Sequence, residues 1–160
     1  MFKDEYPPLL AVGFHPMTIV ELRKLCVDGF PTSKRRIQIM NGLEKVLLKI
    51  AATDLKAEAW IDGSFLTEKV EPDDSDIVVR VTGADCDAAN ADQENIMNWL
   101  NDEDLKPDYF CDSYCFVEYE STHTLCGVGE WERAYWIRQF GFSRKDELKG
   151  LALIELPLTP

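Results

Sequence analysis

Apolar side chains recur along this chain with two periods, and the switches between them divide it into helices and strands. Ile37, Met40, Leu43, Leu47 and Ile50 follow helical spacing. They predict one long helix that buries this face and leaves Lys34, Arg35, Lys45 and Lys49 in water. Thr32 or Ser33 is placed to cap its first turn. Ahead of it, Thr18-Ile19-Val20-Glu21 reads as a capping box opening a short helix to about Asp28, with Gly29 closing it. Apolar runs predict strands near Ala57 to Ile61 and near Asp76 to Thr82. Asp87 is placed to cap a helix carrying Ile96, Trp99 and Leu100, followed by a loop through Pro107. The aromatic stretch from Tyr109 to Tyr119 predicts another strand, and the period of two puts Asp112, Tyr114, Phe116 and Glu118 on one face. A helix from about Gly129 to Phe140 and a strand from Leu151 to Leu156 complete the pattern. Trp60, Trp99, Trp131 and Trp136 are expected in the core or between helices.

The expectation is a single α/β domain over residues 1–160, a small mixed β-sheet flanked by helices. It divides into a helical N-terminal part (1–56), a sheet core (57–119) and a C-terminal helix and strand (120–160). With 160 residues and 46% hydrophobic content, the chain has enough apolar surface for its own core. No run approaches the roughly 20 apolar residues of a membrane span. Met1-Phe2-Lys3-Asp4-Glu5 leads into prolines instead of the apolar core of a signal peptide, so a cytoplasmic location is expected.

Five cysteines cannot all pair with one another. Cys111 and Cys115, with His123 and Cys126 after them, invite a zinc reading. On a strand, however, the first two sulfurs stand about 13 Å apart, too far for one tetrahedral ion. Reduced thiols are expected. His15 and His123 are too isolated to form a catalytic dyad. The net charge of −12 disfavours long nucleic acids, since the one basic cluster is Lys34-Arg35-Arg36. Such acidity favours a partner with a basic surface.

The chemistry concentrates between Trp60 and Val79. A short apolar strand runs into Gly63-Ser64, a polar loop ends at Pro72, and a second strand opens with Asp74-Ser75-Asp76. On an extended chain Asp74 and Asp76 point the same way. Two parallel carboxylates are the minimum for a hard divalent cation such as Mg2+, and a Gly-Ser turn can offer an amide and a hydroxyl to phosphate. Ser75, between the acids, points away from them. On the aromatic strand Asp112 lies where it would start alongside Asp76, whereas Glu118 is about 20 Å further along. Asp112 is therefore the better third acid, and Glu118 is expected at the far rim, paired or solvated.

Gly63-Ser64 followed by Asp74-x-Asp76 resembles the signature of the polymerase-beta-type nucleotidyltransferase superfamily, in particular its minimal bacterial members. Tyr135 to Arg144, Lys149 to Ile154 and the Pro7-Pro8 start extend the likeness to a group of small bacterial and phage proteins of that minimal type. The resemblance implies a nucleotidyltransferase palm. Asp74, Asp76 and Asp112 would be its catalytic and metal-binding residues, holding two Mg2+ ions. Gly63 and Ser64 would cradle the β/γ-phosphates of a nucleoside triphosphate, with ATP the expected donor. Lys69, Arg144 and Lys149 would be further contacts to the triphosphate. A nucleoside monophosphate would pass to a hydroxyl, and in similar proteins that hydroxyl belongs to a helical ribonuclease toxin. The alternative is a catalytically degenerate palm acting as a protein-binding antitoxin or assembly subunit. Antibiotic nucleotidylation is less favoured, because a separate aminoglycoside-binding domain finds no room.

Overall fold

A computed structural model describes residues 4–158; the start of the N-terminal segment weighed above, Met1 to Lys3, lies outside them. One mixed sheet of five strands organises the chain: β1 (Gly13–Pro16), β2 (Ala57–Asp62), β3 (Ser75–Thr82), β4 (Cys111–Glu118) and β5 (Gly150–Leu156). Their spatial order is β1-β5-β2-β3-β4. β2 and β3, joined by the Gly-Ser turn and its loop, run antiparallel, while the longer crossover from β3 to β4 makes that pair parallel. β5 inserts beside β2 in antiparallel sense and pairs with β1 in parallel.

Among the described residues, six α-helical segments surround the sheet: α1 (Ile19–Arg23), α2 (Arg35–Ala51), α3 (Gly83–Asp87), α4 (Ala91–Asp102), α5 (Lys106–Tyr109) and α6 (Cys126–Phe140). One sheet face packs on α2 and α4 through Ile39, Leu43, Leu47, Ile61, Val79 and Leu100. The opposite face carries a smaller cluster of Trp60, Val78, Phe116 and Leu151 closed by Phe140 of α6. No helix among the described residues is long and apolar enough to cross a membrane.

The predicted capping box of α1 is present: Thr18 Oγ1 accepts from the Glu21 amide and Glu21 accepts from the Thr18 amide. The buried stripe of α2 differs from the expectation. Ile37 is 40% exposed, whereas Arg36 is fully buried. The guanidinium of Arg36 donates to the carbonyls of Cys26, Phe65, Thr67 and Lys69 and lies 3.6 Å from the Phe30 ring centroid. Those acceptors offset the cost of burying the charge. The basic cluster Lys34-Arg35-Arg36 thereby loses its last member to the interior.

Ser33 accepts from the Arg36 amide, and the distant Glu71 takes the Lys34 and Arg35 amides, a cap that local sequence cannot display. Asn90, not Asp87, caps α4, in a reciprocal pair with Gln93. Asp87 instead ends the short α3. The expected loop through Pro107 contains the single turn α5, because proline's fixed φ suits the first turn of a helix. Strand β1 falls within the part expected to be helical; its four residues lack a periodic signal of their own. Trp60 is buried as expected, but Trp131 is 66% exposed and stacks on Tyr135. All five cysteines are free thiols.

Candidate active site

Three strands present one carboxylate each at the same end of the sheet. In register, Asp62 of β2 stands opposite Asp76 of β3, and Asp76 opposite Asp112 of β4. The alternation that puts Trp60, Val78 and Phe116 under α6 puts all three acids on that side too. Asp74, just before β3, joins them. Lys106 Nζ, from the first turn of α5, contacts Asp112 at 2.8 Å and Asp74 at 3.2 Å.

The turn after β2 fits closely over this row. Gly63 has φ +87°, and a Cβ there would lie 2.5 Å from Asp76 Oδ2. Only glycine allows both the backbone conformation and the approach. Ser64–Leu66 then forms a single 3-10 turn. Glu118 lies opposite Thr82 at the far end of β3, paired with Arg80 and Arg133. Of the two acids weighed for the third position, Asp112 is therefore the one beside Asp76.

Burial, followed by the charges of Asp74, Asp62 and Asp112, pushes the Asp76 carboxyl up to about 7, with Lys106 opposing the rise. Burial also raises Asp62, against the opposing pull of Lys149, whose Nζ lies 2.6 Å from Asp62 Oδ2. The two lysines differ in access. The Lys149 and Asp62 side chains are 15% and 6% exposed, whereas the Lys106 side chain is 46% exposed. Burial pushes the Cys111 thiol next to Asp112 up to about 12, which leaves it unreactive.

A cleft of about 1280 Å³ opens over the row, walled by Ser64, Tyr114, Tyr135 and the loop carrying Arg144 and Lys145. Of the residues expected at phosphate, Ser64 lines this cleft and Lys69 does so while paired with Asp73 at 2.9 Å. Arg144 also lines the cleft, its amide donating to Glu5. Lys149 is turned inward to Asp62. Asp62 and Lys106 were missed from sequence. An acid closing a strand immediately before Gly-Ser is a usable signal for Asp62. Lys106, in a stretch read as loop, carries none.

Among the described residues, no group of three His, Cys, Asp or Glu side chains stands ready to hold a metal ion. The donor set still fits a hard divalent cation. Every donor is a carboxylate oxygen, and the ionised form of Asp76 is destabilised in a way that a bound cation would relieve. An ammonium group already touches two of the acids.

A family model described as a family of unknown function (DUF6932) matches residues 2–155. The chain belongs to this family. No curated protein and no solved structure matches it. The DUF6932 match takes in all four aspartates, the Gly63–Ser64 turn and Lys106, so the site lies within the family's domain.

Proposed function

We propose that this protein is a Mg2+-dependent nucleotidyltransferase with a palm-like sheet, moving a nucleoside monophosphate from a triphosphate, expected to be ATP, to a hydroxyl acceptor. The observation that carries the reading is the alignment of Asp62, Asp76 and Asp112 across three strands, with Asp74 beside them and the Gly63–Ser64 turn above. Asp74, Asp76 and Asp112 would hold the cations. Bound there, Mg2+ supplies charge neutralisation for the triphosphate and lowers the pKa of the attacking hydroxyl.

The chain's own groups bind and orient the reactants. Ser64, Arg144 and Lys145 all line the cleft, giving a triphosphate polar and cationic partners there. The acceptor oxygen bonds to the α-phosphorus as the bond to pyrophosphate breaks, and a carboxylate of the row takes the acceptor's proton. A protein acceptor, such as a helical ribonuclease toxin, is supported by the exposed apolar side chains of Leu125, Val128, Trp131 and Tyr135, which lead along α6 towards the cleft.

A second reading, a degenerate palm that neutralises a partner by binding alone, is favoured by one observation. Lys106 pairs with both Asp74 and Asp112, so two of the three expected cation ligands have a cationic partner in the chain itself. Calorimetric titration of ATP, GTP, CTP and UTP with Mg2+ separates the two. Binding of one triphosphate that is lost in Asp74→Ala/Asp76→Ala supports transfer. No binding of any triphosphate transfers the weight to the steric role.

A further inference from the structure

We propose that Lys106 is a tethered counter-ion that positions Asp74 and Asp112 in the cation-free protein and leaves when a divalent cation binds, so that it sets the cation affinity of the site. This inference rests on the carboxylate row being a cation site.

Anchoring and reach support it. The backbone of α5 is pinned: a Cβ on Gly42 of α2 would lie 1.9 Å from the Tyr109 carbonyl oxygen, so the two helices meet without intervening side chains. The Lys106 amide is further fixed by Asp104 Oδ1 at 3.1 Å. Its ammonium, at the end of a flexible four-carbon stem, is nevertheless nearly half exposed and can swing into water without moving the helix. A rigid base with a mobile charged tip is what a displaceable counter-ion requires.

Lys149 makes the contrast. It pairs with Asp62 where both side chains are nearly enclosed, so separating them would leave an uncompensated charge in the interior. Asp62 therefore stays neutralised by Lys149, while Asp74 and Asp112 share a partner that solvent can replace. The same sheet end thus carries one permanent ion pair and one exchangeable contact. With Lys106 in place the acids do not repel each other apart. With it displaced, the carboxylate oxygens it held become available as ligands.

The test is Mn2+ affinity, read by calorimetry and by electron paramagnetic resonance of free Mn2+, in the wild type, Lys106→Met and Lys106→Arg. Lys106→Met removes the competitor and should bind Mn2+ about ten-fold tighter, the scale of one charge-assisted contact. Lys106→Arg keeps the charge, can fork across both carboxylates, and should bind no tighter than wild type. A lysine with a merely structural role would give weaker Mn2+ binding when removed. Thermal unfolding gives a second readout if Lys106→Met folds poorly without a cation. The variant should melt below wild type in EDTA, and saturating Mn2+ should close the gap. Equal or weaker Mn2+ binding by Lys106→Met, with wild-type binding intact, overturns the role of Lys106 and leaves the cation site standing. Absence of Mn2+ binding in all three proteins overturns the cation site and this inference together.

Discussion

Replacing Asp76 with asparagine should stabilise the cation-free protein while abolishing transfer. Burial, with Asp76 Oδ2 close over the Gly63 backbone, opposes its ionisation most, followed by the neighbouring charges of Asp74, Asp62 and Asp112. Each pKa unit corresponds to about 1.36 kcal/mol. Raising this carboxyl from 3.8 to about 7 therefore weakens folding by at most about 4 kcal/mol once the group is fully ionised. Asp76 is still reached by solvent, and mobile ions screen part of the repulsion, so a gain of about 1–3 kcal/mol is expected for Asp76→Asn. The sign follows from proton counting. Between pH 4 and 7, approximately, the folded protein holds a proton on Asp76 that the unfolded chain has released. Wild-type stability from this group falls as pH rises through that window and levels off above it. The asparagine variant lacks that fall, so its advantage should be small near pH 4 and full at pH 8. Urea unfolding in EDTA at a series of pH values measures the gap directly. An Asp76→Asn protein no more stable than wild type at pH 8, or a gap that does not widen with pH, refutes the electrostatic account of the row.

Three further outcomes are expected. Arg36→Met should leave the carbonyls of Cys26, Phe65, Thr67 and Lys69 without their donor and cost about 3 kcal/mol or more by urea unfolding; a loss below about 1 kcal/mol would show that water reaches them. Gly63→Ala forces a side chain to φ +87° and against Asp76 Oδ2, so it should cost about 1–3 kcal/mol and weaken nucleotide binding in calorimetry. Lys149→Met should destabilise by about 3 kcal/mol by orphaning Asp62, and Asp62→Asn/Lys149→Met should recover most of that in a double-mutant cycle.

The long helix α2, the strands β2 to β5 and the neighbouring pair Asp74 and Asp76 were legible because each has a local period or spacing, whereas Asp112 comes to Asp76 only through the pairing of β4 with β3. What escaped notice depends on partners far away in sequence. Arg36 looks like a surface charge until four carbonyls from other segments surround it, and that displaces Ile37 to the outside. Asp87 and Asn90 are both good caps, and the choice went to the residue whose third neighbour, Gln93, can reciprocate. β1 is too short to announce itself and exists through its pairing with β5. Lys106 became part of the site only when α5 packed on α2 and carried it to Asp112.

The placement of β5 also governs how the molecule is made. It follows all other strands in sequence, yet lies inside the sheet, between β1 and β2. While the chain emerges from the ribosome, β2 and β3 can pair, but β2 keeps an open edge until residues near Gly150 arrive. A newly made chain stalled or cleaved before that point would present the apolar run Ala59-Trp60-Ile61 with its backbone hydrogen bonds unfilled, an invitation to aggregate. Joining β1 to β5 also closes a loop of most of the chain, which places this protein among slower-folding topologies for its size.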